Sequence, residues 1–149
     1  MTKWLVFGLL LIGPLSVASA TPPKANPDDA QQVQRGQKVY TRFCSLCHGR
    51  QLQGQPDWRR RKPDGRLPAP PHDETGHTWH HADELLFGIT KFGLIPPYAP
   101  KNYTSDMPAW KDTLSDADIW AVLAYIKSTW PAEIRQRQAD IDREVRERR

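Results

Sequence analysis

The 149-residue sequence is poor in sulfur: it contains two cysteines and two methionines, one of which is the initiator. At most one disulfide can therefore form within the chain. Its charge balance is also modest, with 21 lysines and arginines against 17 aspartates and glutamates and a formal net charge of +4. This balance is far from the strong positive charge of a nucleic-acid-binding domain, so we expect no nucleic acid partner.

Long apolar runs are also absent, apart from one near the start of a sequence whose mean hydropathy is low, −0.68. This run, WLVFGLLLIG, follows Lys3, the only charged residue before Ala20, and the small residues ASA end the segment. A positive charge, a short apolar run and small residues in this order are typical of a secretory signal peptide. About ten apolar residues are few for a membrane span, which needs about 20. We therefore predict that residues 1–20 are cleaved; if they are retained as an anchor instead, the protein contacts a membrane through them.

Both cysteines lie in one short stretch, VYTRFCSLCHG, as Cys44 and Cys47, and His48 follows directly. A disulfide is the first expectation for an exported protein. A bond between these two cysteines would close a loop of only a few residues, which removes little entropy from the unfolded chain. A redox-active CxxC motif requires a preceding strand, whereas the sequence before Cys44 has a helical pattern. The disulfide interpretation is therefore disfavoured.

The pattern C-x-x-C-H is the attachment signature of c-type haem. Two thiols one helical turn apart can each bond to a vinyl group on the same porphyrin edge. The next residue then lies beneath the iron and offers an imidazole nitrogen as proximal ligand. We predict one haem c, covalently bound through Cys44 and Cys47 and ligated by His48. Because bacteria attach haem c outside the cytoplasm, the motif and the signal peptide together predict a periplasmic protein.

Three stretches have the periodicity of amphipathic helices. One face of the first stretch, residues 26–43, consists of Val33, Gly36, Tyr40 and Phe43. The second stretch, residues 81–93, places three apolar residues inward and ends at a glycine: Leu85, Leu86, Ile89 and Gly93. The third begins with a capping-box-like pair, Ser115 and Asp118. Its apolar face consists of Ile119, Val122, Leu123 and Ile126.

Three sequence blocks together resemble the class I monohaem cytochromes c. They are RGQKVYTRFCSLCHG, DMPAW at residues 106–110 and LSDADIWAVLAYIKSTW at residues 114–130. The resemblance implies an all-α fold, with a few helices wrapped around one covalently bound haem c. We assign residues 28–130 to this cytochrome c domain, and we expect residues 131–149 to form a charged, helical C-terminal tail.

The resemblance also implies several contacts around the haem. It makes Met107 the distal ligand of the iron, and the competing ligand is a second histidine: His72, His77, His80 or His81. It places a glycine–aromatic contact between the first and last helices, here Gly36 and Tyr40 against Val122 and Tyr125. It further implies that a proline carbonyl accepts a hydrogen bond from the proximal imidazole; the candidates are Pro68, Pro70 and Pro71.

Two features have a functional and a structural interpretation. The stretch HDETGHTWHH contains four of the five histidines, His72, His77, His80 and His81, and they are either a second metal site, copper in particular, or polar residues near the haem edge. The stretch WRRRKPDGR, residues 58–66, concentrates five basic side chains. These either dock an acidic redox partner or form a solvated loop.

The function predicted from these features is periplasmic electron transfer by a protein that is not itself an enzyme. An iron with both axial positions filled by His48 and Met107 has no open site for a substrate, so its work is one-electron exchange with redox partner proteins. One alternative is a haem c subunit of a larger oxidoreductase complex. Another is a haem protein whose Met107 dissociates so that a small ligand can bind.

Overall fold

The computed structural model describes residues 24–148, and within this range it contains helices and no strands. The helices are α1 (Ala30–Val39), α2 (Ser45–His48), α3 (Asp83–Phe92), α4 (Asp116–Ser128) and α5 (Ala132–Glu147). The all-α fold class predicted from the sequence is confirmed. The predicted signal peptide, residues 1–20, lies outside the described residues. None of the described helices is long and apolar enough to cross a bilayer.

The helical segment that carries the cysteines is longer than α1 alone. Asp29 caps its start, since the carboxylate accepts hydrogen bonds from the amides of Gln31 and Gln32 at 2.9 and 3.1 Å. After Val39 the chain winds on through a π-helical turn, Tyr40–Cys44, directly into α2. The winding stops at Gly49, whose φ of 81° suits a glycine. Cys44, Cys47 and His48 are therefore presented by one continuous helical segment.

Helix α4 forms the centre of the core. Ser115 and Asp118 make the predicted capping box, and the predicted apolar face is buried: Ile119, Val122, Leu123 and Ile126. Helix α1 crosses α4 so closely at Gly36 that an added Cβ would overlap the carbonyl oxygen of Ala121. The Tyr40 and Tyr125 rings lie 5.4 Å apart at this crossing. The predicted glycine–aromatic contact is present, although Ala121 rather than Val122 faces the glycine.

Helices α3 and α5 complete the body. Helix α3 ends at Gly93, with φ 82°, as its sequence predicts, and Leu86 is buried on its inner face. Residues 131–149, expected to be a charged helical tail, contain α5. The buried side chains of this helix are polar, Gln138 and Asp142.

We predict that Gly36→Ala destabilises the protein although alanine favours helices by about 1 kcal/mol over glycine. The added methyl group must displace the backbone of α4, and such overpacking costs about 1–3 kcal/mol. Denaturant unfolding of the haem-loaded protein should therefore show a lower midpoint for Gly36→Ala than for the wild type. Gln37→Ala, at the next and exposed position, is the control and should leave the midpoint unchanged. Equal midpoints for the two variants would contradict the close helix crossing.

Candidate haem site

One cavity of about 360 Å³ brings the predicted site residues together. Its size falls in the range of small-molecule and cofactor sites, about 300–1,000 Å³. Cys44, Cys47, His48 and Met107 all line it. Much of the remaining wall is apolar and comes from α3 and α4, including Leu86, Ile89, Val122, Leu123 and Ile126.

Both cysteines are free thiols, so the structure contains no disulfide between them. Cys47 is exposed and Cys44 is partly buried. Burial, with a smaller contribution from the charge of Cys47, raises the pKa of the Cys44 thiol to about 12. Each thiol lies on the cavity wall, one helical turn from the other, as attachment to one porphyrin edge requires.

His48 is held in one orientation by a backbone carbonyl. Its Nδ1 lies 2.8 Å from the carbonyl oxygen of Pro70. Because a carbonyl oxygen only accepts hydrogen bonds, Nδ1 carries the proton and the lone pair is on Nε2. Burial lowers the pKa of the imidazole, which favours the neutral ring that binds metals. Of the three candidate prolines, Pro70 is therefore the partner of His48.

The loop that supplies the Pro70 carbonyl is itself fastened to the segment after α2. The Gln55 amide donates to Ala69 O at 2.9 Å, and the His72 amide donates to Leu52 O at 2.7 Å. Gly54 packs so closely that an added Cβ would overlap the backbone at Pro70 and Pro71. These contacts fix the carbonyl relative to the imidazole, which sets the ring plane and the tautomer of a metal-ligating histidine.

Tyr40 fixes the end of the helical segment that carries His48. The side chain is 1% exposed, and its hydroxyl donates to the carbonyl oxygens of Gly49 at 2.9 Å and His48 at 3.3 Å. Burial, above all, raises the pKa of this phenol. Sequence patterns indicated that Tyr40 packs in the core, but nothing in them indicated the role of its hydroxyl.

Three of the four clustered histidines line the cavity, namely His72, His77 and His81, whereas His80 does not. The His72 ring is stacked on the His48 ring, with centroids 4.0 Å apart, and its Nδ1 lies 2.8 Å from Thr78 Oγ1. Burial lowers the pKa of each of these three imidazoles, most strongly that of His72.

The clustered histidines are not arranged as a metal site. His77 stacks on Trp58 at a centroid distance of 5.3 Å and meets His81 edge-on at 5.4 Å. His80 stacks on Trp79 at 3.7 Å. Among residues 24–148, no group of three or more histidine, cysteine or acidic side chains is placed to hold a metal ion. The copper interpretation of the cluster is therefore not supported, and we call residues 72–81 the histidine wall of the cavity.

The residues around the cavity fit a haem c. Two thiols, a neutral imidazole with a free Nε2 and one thioether share a cavity whose other walls are largely apolar. On the same wall, His77 Nδ1 is buried without a hydrogen-bond partner. A buried polar atom without a hydrogen-bond partner costs free energy. The carboxylate of a bound cofactor is a group that would form a hydrogen bond with this nitrogen.

Above one side of the cavity lies the basic stretch noted in the sequence. Lys62 and Arg66 pair with Asp106, but Arg59, Arg60 and Arg61 are exposed and take part in no ion pair within residues 24–148. The Arg59 guanidinium lies 4.0 Å from the ring centroid of Trp58, and that of Arg61 lies 5.8 Å from the ring centroid of Tyr103. Both aromatic residues line the cavity. We call Arg59, Arg60 and Arg61 the arginine patch.

Comparison with known proteins places most of the haem site within a described family. Residues 31–126 match a family model described as cytochrome C oxidase, cbb3-type, subunit III. The matched region runs from α1 into α4 and includes all four predicted site residues. No curated protein and no solved structure matches the chain.

We predict that Tyr40→Phe destabilises the haem-loaded protein by about 1–2 kcal/mol, because two partly buried carbonyl groups lose a donor. The measurement is the free energy of unfolding in denaturant. Tyr98→Phe is the matched control, since the Tyr98 hydroxyl makes no hydrogen bond within the described residues, and it should change stability by less than half as much. If the two variants are equally stable, the Tyr40 hydroxyl does not hold the end of α2.

Proposed function

The chain belongs to the family of cytochrome c oxidase, cbb3-type, subunit III, and on this premise we propose that it transfers single electrons through one haem c, attached to Cys44 and Cys47 and ligated by His48 and Met107. The observation that carries the proposal is the state of His48. Its Nδ1 is committed to Pro70 at 2.8 Å, so its free Nε2 is available in a cavity shared with both thiols and the thioether.

The bound haem supplies the one-electron couple between ferrous and ferric iron. The chain's own residues would hold it: the two cysteines through thioether bonds, and His48 Nε2 and Met107 Sδ as ligands of the iron. Pro70 keeps the imidazole plane fixed in both oxidation states. The apolar walls from α3 and α4 keep water out. A fixed ligand set in a dry pocket reorganises little when an electron arrives or leaves.

The position of His72 counts against this histidine as a second ligand in place of Met107. The His72 ring lies flat against His48, with an interplanar angle of 24°. A ring stacked on His48 would lie on the same side of a bound iron as His48 and would not serve as the second ligand. A thioether donor also stabilises ferrous iron and raises the reduction potential relative to a second imidazole.

The family and the attachment chemistry also support a location and a class of partner. The segment 1–20 has the features of a secretory signal, and covalent attachment of haem c outside the cytoplasm agrees with it, so the protein works in the periplasm. The domain comprises residues 28–130. Its partners are redox proteins, and the family description favours the subunit alternative, in which the chain delivers electrons within an oxidase complex.

The arginine patch supports an electrostatic docking role. Within residues 24–148 no carboxylate pairs with its three cations. Arg59 contacts Trp58 and Arg61 contacts Tyr103, and both aromatic rings line the haem cavity. Positive charge at this place attracts an acidic partner to a face from which the electron path to the haem is short.

The ligand set is tested by the visible spectrum of periplasmically matured protein. We predict low-spin bands, a weak far-red sulfur band in the ferric state and no change of the ferrous spectrum under CO. Met107→Ala should lose the far-red band and bind CO, because it opens one axial position. His77→Ala and His81→Ala should keep the far-red band. If the wild type lacks that band and a histidine variant opens the site, the distal ligand is a histidine; if the wild type binds CO, Met107 is labile.

The arginine patch is tested with small oxidants of opposite charge. At low ionic strength, Arg59→Glu/Arg60→Glu should slow oxidation of the ferrous protein by hexacyanoferrate(III) about tenfold, because the patch no longer attracts an anion. The same variant should speed oxidation by hexaamminecobalt(III). Lys24→Glu/Lys38→Glu, with the same change in net charge away from the cavity, is the control. Equal rates for the two double variants would mean that the patch is only a solvated loop.

A further inference from the structure

Helix α5 carries a fully buried amide that ties it to the cavity wall. Gln138 is 0% exposed, and its Nε2 donates to the His81 carbonyl oxygen at 3.2 Å and to Asp83 Oδ1 at 2.8 Å. One turn further along α5, Asp142 accepts a hydrogen bond from the Asp83 amide at 3.1 Å. Both contacts reach the junction between the histidine wall and α3.

A buried ion pair joins α4 to the same junction. Lys127 Nζ lies 2.8 Å from both oxygens of Asp83, and the two side chains are only 9% and 5% exposed. Buried charges are costly unless paired and hydrogen-bonded. Asp83 meets this requirement only with both partners, Lys127 and Gln138, so α3, α4 and α5 are held together at one point.

The other end of the histidine wall is held by Trp130, which lies in the short connection between α4 and α5. Trp130 is 3% exposed, and its indole N–H donates to the His72 carbonyl oxygen at 2.7 Å. Between the two ends, the Arg137 guanidinium of α5 lies 5.0 Å from the Trp79 ring centroid. The wall is thus attached at His72, at Trp79 and at His81 to residues that follow position 126, where the family match ends.

We propose that Trp130 and α5 form a brace that positions the histidine wall against the haem and thereby sets its reduction potential. Trp130 and Gln138 are positioning residues: they hold the His72 ring on His48 and the His77 and His81 rings on the cavity wall. Solvent exposure and contacts around the ligands tune the potential of a haem. A loosened wall admits water, and water favours the more highly charged ferric state, so the potential falls. This inference rests on the haem ligation proposed above.

The test compares two glutamines of α5 in haem-loaded protein. Gln138→Met removes the buried donor at nearly constant volume. Gln136→Met is the matched control, because this position is exposed, lies one half-turn away and, among residues 24–148, its side-chain amide donates a hydrogen bond only to Asp140. We expect amide hydrogen exchange at Asp83 to become at least tenfold faster in Gln138→Met than in Gln136→Met. At a fixed electrode potential, the ratio of ferric to ferrous haem should rise about threefold, with the far-red band retained.

A second pair of variants covers the case in which Gln138→Met fails to mature. Trp130→Phe removes the donor to His72 together with part of the indole ring. Trp120→Phe is its control, because it loses the same ring atoms and its indole makes no hydrogen bond within residues 24–148. Trp130→Phe should lower the potential in the same direction, and Trp120→Phe should leave it unchanged.

The possible outcomes separate the brace from the ligand set. If the wild type shows normal low-spin and far-red bands while both test variants match their controls in potential and in exchange, the brace is overturned and the ligation stands. If exchange rises without a change in potential, α5 holds the wall but does not tune the haem, and the proposal also fails. A wild type without these bands overturns the proposed ligation instead.

Discussion

The close crossing of α1 and α4 at Gly36 is the constraint on which the rest of the structure depends. Because no side chain separates the two helices there, α1 lies directly on the Ala121 carbonyl and Tyr40 reaches Tyr125. The direction of α1 then determines where the continuous winding through the π-helical turn ends, and that end carries both thiols and His48. A bulkier residue at position 36 would tilt this segment and move all three groups together.

The histidines that line the cavity are neutral. Burial lowers the pKa values of His48, His72 and His77, so the imidazoles are neutral at physiological pH. The charged residues Lys62 and Asp106 also line the cavity, but they form an ion pair with each other. Among the described residues, the unpaired positive charges of the same region are those of the arginine patch, which is exposed and can attract a charged partner.

The sequence allowed prediction of the features that follow local rules. The CxxCH spacing, the Ser115–Asp118 capping box and the buried face of α4 each depend on neighbours within one or two helical turns. The choice of Pro70 among three prolines depends on how a loop folds back on His48, which no local pattern encodes. The buried Asp83–Lys127 pair and Gln138 were missed for a stronger reason: hydrophobic periodicity assigns charged and amide side chains to the surface, and here they occupy the interior.

The residues that contact the haem and the residues that support the cavity wall lie in different parts of the chain. Every group that would touch the haem iron or its attachment points lies at or before position 126, within the part matched by the family. The residues that hold the histidine wall from behind, Lys127, Trp130 and Gln138, all follow that position. The loss of one partner in such a buried polar contact destabilises the protein, because the other partner is left without a hydrogen bond. Such contacts therefore fix both the position of α5 and its rotation about the helix axis. A helix fixed in both respects can position the cavity wall, whereas a helix held only by apolar contacts would merely cover it.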